Sequence, residues 1–130
     1  MVDSPENALA EAREWLTAAE KALGGAEKNA ALCGVCCAQA IHAVIRANDS
    51  LTLKFLGRKA TRHEDAPMLF RQLVKQQKII EDESKFANAL VDAMLKKSGA
   101  DYGKQDFKLV DARKLVANAR EFVEMASRHR

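Results

Sequence analysis

The densest run of chemistry-bearing side chains lies between positions 54 and 63. Lys54, Arg58, Lys59, Arg62 and His63 all precede the first acid, Glu64. Arg58 and His63 have four residues between them. An arginine fork fixes a phosphate through paired N–H donors, and an imidazole carries protons near neutral pH. The pair could hold and cleave an RNA phosphodiester, or the run could bind a nucleotide phosphate, or it could be a solvated basic loop. A second cluster is Lys97 followed by Asp101 and Tyr102. Lys97 is in helical register with Phe86, Leu90 and Ala93, which places a cation on an apolar face beside an acid and a phenol. A snorkelling lysine at a helix C-terminus is the simpler alternative. A third is the polar stripe Gln39, His42 and Arg46, spaced three and four apart on an otherwise apolar helix. It is either a solvated edge or a seam between subunits.

Other chemistries lack their residues. Cys33, Cys36 and Cys37 could share a helix face, but no second pair follows downstream to complete a zinc site, so they read as small packed thiols. There is no glycine-rich phosphate loop, no Ser/His/Asp arrangement and no inward Glu-x-x-His pair. No metal and no cofactor is expected.

These residues need a scaffold, and the composition points to helices. The chain has 130 residues, 48% hydrophobic and only 5% aromatic, with Pro 2 and Gly 6. That favours one alanine-rich helical domain over residues 1–130 rather than a β-sandwich. The net charge of +3 is too mild to mark a nucleic-acid binder by itself. Three clustered cysteines are not a disulfide framework, the N-terminus lacks the pattern of a secretory signal, and no apolar run of transmembrane length is apparent. A cytoplasmic location is expected.

The spacing of apolar residues predicts five helices. The first begins at Ser4-Pro5, carries Leu9, Ala12, Leu16, Ala19 and Leu23, and stops at Gly24-Gly25. The second, from about Glu27 to Ala47, is apolar around most of its girth and reads as the centre of the fold. Asn48-Asp49-Ser50 is expected to break it, leaving Leu51–Asp65 as a connection. A short helix follows from Ala66-Pro67, then one from Asp82 to Ser98 ended by Gly99. A loop from Gly99 to Lys108 would hold Asp101 and Tyr102, and the last helix starts at Leu109. The expected fold is an all-α, up-and-down antiparallel bundle of four long helices and one short one.

The order of these pieces has a likeness. It comprises Trp15 within Ala12-Arg-Glu-Trp15-Leu-Thr-Ala-Ala19 and a small-residue second helix. His63 then precedes Phe70-Arg-Gln-Leu-Val-Lys75, and Lys97-Ser-Gly-Ala-Asp101-Tyr102-Gly103 precedes a final helix ending Ala119-Arg-Glu-Phe122-Val123. The chain resembles the small prokaryotic HEPN proteins (higher eukaryotes and prokaryotes nucleotide-binding) from about Ala8 to Met125. The resemblance implies a homodimer, pairing with a small nucleotidyltransferase in toxin–antitoxin fashion, and in many members an Arg-x(4–6)-His ribonuclease motif.

Three functions follow as expectations. The favoured one is a non-catalytic helical module that binds a nucleotide or RNA phosphate, or docks a nucleotidyltransferase. Lys54, Lys59, Arg62, Lys97, Asp101 and Tyr102 are its candidate binding residues, and Gln39, His42 and Arg46 its candidate interface. The second is a metal-independent endoribonuclease with Arg58 and His63 as catalytic pair. The third is a structural oligomerising bundle with no ligand.

Overall fold

The computed structural model describes residues 3–79, 83–103 and 105–129. Among them every regular element is helical: α1 Pro5–Ala26, α2 Ala31–Leu56, a single 3-10 turn His63–Asp65, α3 Ala66–Lys75, α4 Glu83–Tyr102 and α5 Leu109–Arg128. Helices of 22, 26, 20 and 20 residues therefore accompany one of 10.

The Ser4 Oγ caps α1 by accepting from the Asn7 N–H at 3.0 Å, with Pro5 at the first helical position. Gly24 and Gly25 do not stop this helix. A Cβ at Gly25 would lie 2.7 Å from Leu32 Cδ1, the tip of a leucine side chain on α2. Residues 27–30 form the turn, and α2 starts at Ala31 instead of Glu27.

The expected break at Asn48-Asp49-Ser50 is also absent. Most of their polar groups find partners, so the helix continues, although the buried Asn48 Oδ1 has none among the described residues. Ser50 Oγ donates to the Ala47 carbonyl at 2.6 Å, Thr52 Oγ1 to that of Asp49, and Asp49 pairs with Arg46 one turn back. The helix ends only at Gly57, whose φ of +71° provides a left-handed cap. Lys54 thus belongs to α2, and the connection shortens to 57–65. In α4 the helix passes through Gly99 as well. A Cβ there would meet Gln105 Oε1 at 2.9 Å, and the stop is Gly103 at φ +65°. Asp101 and Tyr102 are therefore helical, not in a loop. The expected start of this helix at Asp82 lies outside the described residues. At α5 the Asp111 carboxylate accepts from the Lys108 N–H at 2.9 Å, so the predicted start at Leu109 holds.

α2 is the central rod. It packs on α1, α3, α4 and α5, and Cys33, Cys36, Cys37, Ala40, Ile41, Ala43, Val44 and Ala47 are all buried. Contacts fix its direction against α1. Ala19 meets Cys36, Trp15 meets His42 and Glu11 meets Arg46, which is antiparallel. α5 also runs antiparallel to α1, through Arg13–Ser127, Glu20–Arg120 and Glu27–Arg113. Phe122 anchors the far side between Phe70 and Phe86, each centroid 5.7 Å away. By length and mean hydropathy α2 would reach across a bilayer, which corrects the expectation that no run would; 56% of its most apolar stretch is buried inside this fold.

Candidate functional site

Two polar stripes face each other across the α1/α2 pair. On α1 and the residue before its cap, Asp3, Asn7, Glu11 and Trp15 recur every fourth position. On α2, His42, Arg46 and Asp49 lie four and three apart. Spacings of three and four keep each set on one side of its helix. The 57–63 connection folds over them and contributes Lys59, Ala60, Thr61 and His63. Together they line an open cleft of about 900 Å³.

Arg46 is its hub. One guanidinium reaches three carboxylates: Asp49 at 2.8 Å, Asp3 at 2.9 Å and Glu11 at 3.1 Å. Lys59 donates to Asp3 at 2.9 Å, and Asn7 bridges Asp3 and Glu11 at 3.1 and 2.8 Å. Hydrogen bonds from Arg46 and then Lys59 hold the Asp3 carboxyl well below the usual carboxylate range. Asp49 behaves oppositely: it is 7% exposed, and burial pushes its carboxyl up despite the neighbouring Arg46. Desolvation opposes the charge on Arg46, but the bonds to Asp3 and Asp49 outweigh it and raise its pKa.

A second chain of contacts borders the first. The indole of Trp15 stacks on the His42 ring at 4.9 Å and 25°. His42 Nε2 lies 3.2 Å from Asp101 Oδ1, and Lys97 Nζ donates to the other Asp101 oxygen at 2.7 Å. Burial raises the Asp101 carboxyl, but the Lys97 hydrogen bond and the His42 charge prevail and lower it. His63 keeps an exposed edge. Desolvation, followed by the charge of Lys97, lowers its pKa, so neutral imidazole is favoured there.

The predicted residues thus divide. Lys59 and His63 line the cleft, with Lys97 and Asp101 beside it. The stripe Gln39-His42-Arg46 is engaged within the chain at two of its members, and Gln39 is half-buried with Oε1 unpaired among the described residues. Arg62 is exposed and pairs loosely with Glu64 and Asp65 at 3.7 and 3.6 Å. Tyr102 is 73% exposed at the end of α4. Lys54 donates to the His129 carbonyl and lines a different recess. Arg58 is exposed, does not line the cleft with His63, and has no side-chain hydrogen bond or ion pair among the described residues. The cysteines are buried and unbridged, with burial pushing Cys36 up to about 11 and Cys37 up to about 12. No group of three or more metal-ligating side chains occurs among the described residues.

Asp3, Asn7, Glu11, Trp15 and Asp49 escaped the sequence reading. Their signal was available in the four-residue repeat on α1, which mirrors the polar stripe on α2.

The arrangement can grip an oxyanion. Arg46 donates from Nη2 to Asp3 at 3.1 Å and sets Nη1 2.9 Å from its other oxygen, and Lys59 donates to the same carboxylate. The cleft also offers an aromatic wall and two imidazoles, His42 and His63. No protein-family model matches this chain, and no curated protein matches it either.

Proposed function

We propose that this chain is a HEPN-like, non-catalytic module that binds the phosphate of a nucleotide or an RNA end in the Arg46/Lys59 cleft. In this reading it is an up-and-down antiparallel bundle, dimeric and cytoplasmic, and it docks a small nucleotidyltransferase partner. The carrying observation is the grip on Asp3: Arg46 and Lys59 already converge on one oxyanion inside an open cleft of nucleotide size. A phosphate would displace the Asp3 carboxylate from the same donors, while a base would lie along the Trp15/His42 wall. Asp3 is therefore an internal competitor. Isothermal titration with an adenosine mononucleotide and an oligoadenylate trinucleotide tests this. Asp3→Asn should bind about tenfold more tightly than wild type, and Lys59→Met about tenfold more weakly, because each change adds or removes one charge-assisted contact. No binding to either wild type or Asp3→Asn would end the phosphate reading. A pull-down with the neighbouring gene product and light scattering address the partner and the dimer.

A metal-independent ribonuclease using Arg58 and His63 is the second reading. What favours it is the lowered pKa of His63, which leaves a neutral imidazole able to accept a proton. Arg58 stands away from that cleft in the single chain, so the pair would have to act across two subunits. RNA cleavage by wild type, abolished in His63→Ala, would establish it. A purely structural oligomerising bundle would leave both assays blank.

A further inference from the structure

A second recess opens on the opposite side of α1. At 100° per residue, Pro5, Glu6, Leu9 and Arg13 point one way, and Ser4, Asn7, Glu11 and Trp15 the other. The recess holds about 210 Å³ and is bounded by the first turns of α1, the last turns of α2 and the end of α5. Its apolar surface comes from Pro5, Leu9, Leu51 and Ala126. Two cations, Arg13 and Lys54, are among its lining residues. Each has one bond that fixes its direction, Arg13 to Ser127 Oγ at 3.0 Å and Lys54 to the His129 carbonyl. Each also has donors to spare, since a guanidinium offers five N–H groups and an ammonium three. Among the described residues Glu6 supplies the only carboxylate in the lining, and the His129 ring lies edge-on to Phe55 at 6.5 Å.

We infer that this recess binds a small monocarboxylate with a compact apolar body, its hydrocarbon against Leu9, Leu51 and Ala126 and its carboxylate between Arg13 and Lys54. Size and charge both set the class. An apolar cavity of about 150 Å³ accommodates benzene, so the larger volume here takes a single ring or short branched chain with a carboxylate. A dinucleotide or a long acyl chain does not fit. Two pre-directed cations against one acid favour an anion over a neutral or cationic isostere. A carboxylate bridging Arg13 and Lys54 would also tie the first half of α1 to the last turn of α2. The site shares no lining residue with the Arg46 cleft, so it stands or falls independently of phosphate binding.

Backbone-amide NMR titration of the full chain with sodium benzoate is the test, with benzyl alcohol as the neutral isostere. Saturable shifts are expected at Leu9, Leu51, Ala126 and His129, and not at Trp15, His42 or Lys59. Benzyl alcohol should bind about tenfold more weakly. Lys54→Met and Arg13→Gln, both at solvent-facing side chains, should each weaken benzoate to about the level of the alcohol and leave the alcohol unchanged. The inference is overturned by no saturation at tens of millimolar benzoate, by shifts centred on the Arg46 cleft, by equal binding of the alcohol, or by benzoate affinity unchanged in both variants.

Discussion

Replacing Arg46 with Met isolates the electrostatic core of this fold. The methionine keeps much of the aliphatic stem, so the loss is mainly the guanidinium. That group makes contacts of 2.8 to 3.1 Å with three carboxylates. The three do not suffer equally. The Glu11 side chain is 48% exposed, and water replaces its partner at a cost below about 1 kcal/mol. Asp3 retains Lys59 at 2.9 Å. Asp49 is 7% exposed and loses its only side-chain hydrogen-bond partner among the described residues. Leaving a buried charge unpaired costs about 3–5 kcal/mol at full burial, and the opening of this cleft to water brings the expected total to about 3 kcal/mol. For a chain of this size that lowers Tm by roughly 10 °C. The sign of the pH dependence is fixed as well. The Asp49 carboxyl already lies above its ordinary value and rises further without Arg46. Its penalty is therefore full at pH above the folded-state pKa and is relieved as pH falls through it. Asp3 works the other way. Its depressed pKa stabilises wild type above the ordinary carboxylate range, and that stabilisation fades on acidification. Differential scanning fluorimetry at pH 5 and pH 8 should show the larger deficit at pH 8, and Arg46→Met/Asp49→Asn should recover most of it. A deficit under about 1 kcal/mol, or a double variant no more stable than Arg46→Met alone, would refute this assignment of the cost to Asp49.

Phe122→Ala empties a fully buried position between Phe70 and Phe86 and should cost about 3–5 kcal/mol, enough to leave the chain partly unfolded at 37 °C by circular dichroism. Gly57→Ala forces a Cβ into φ +71° at the cap of α2 and should cost about 1 kcal/mol in urea unfolding, with the m-value unchanged. Cys33, Cys36 and Cys37 should resist iodoacetamide at pH 8 in the native chain and all react in guanidinium, as read by mass. Rapid native labelling of Cys36, whose thiol donates to the Ala19 carbonyl at 3.3 Å, would contradict its burial.

The helical class, the short third helix and the identity of the buried rod are legible without a structure, because each depends on side chains three or four residues apart. The sequence also marked Ser4-Pro5 and Leu109 as helix starts, where the capping chemistry is local. Tertiary structure decided where helices stop. A Cβ at Gly99 would run into Gln105 at 2.8 Å, and Asn48 stays in the helix while its side-chain amide donates to the Ala66 carbonyl of α3 at 3.4 Å. Only tertiary structure could decide the site. Trp15 stacks on a histidine 27 positions away, and His42 reaches an aspartate 59 positions away. A stripe of polar residues reveals that a helix has a polar side, while the partner it meets depends on how the bundle packs. Arg46 and Asp3 form an ion pair rather than two solvated charges because α2 lies against α1 in one antiparallel register, set by close-packed alanines and cysteines at their contact.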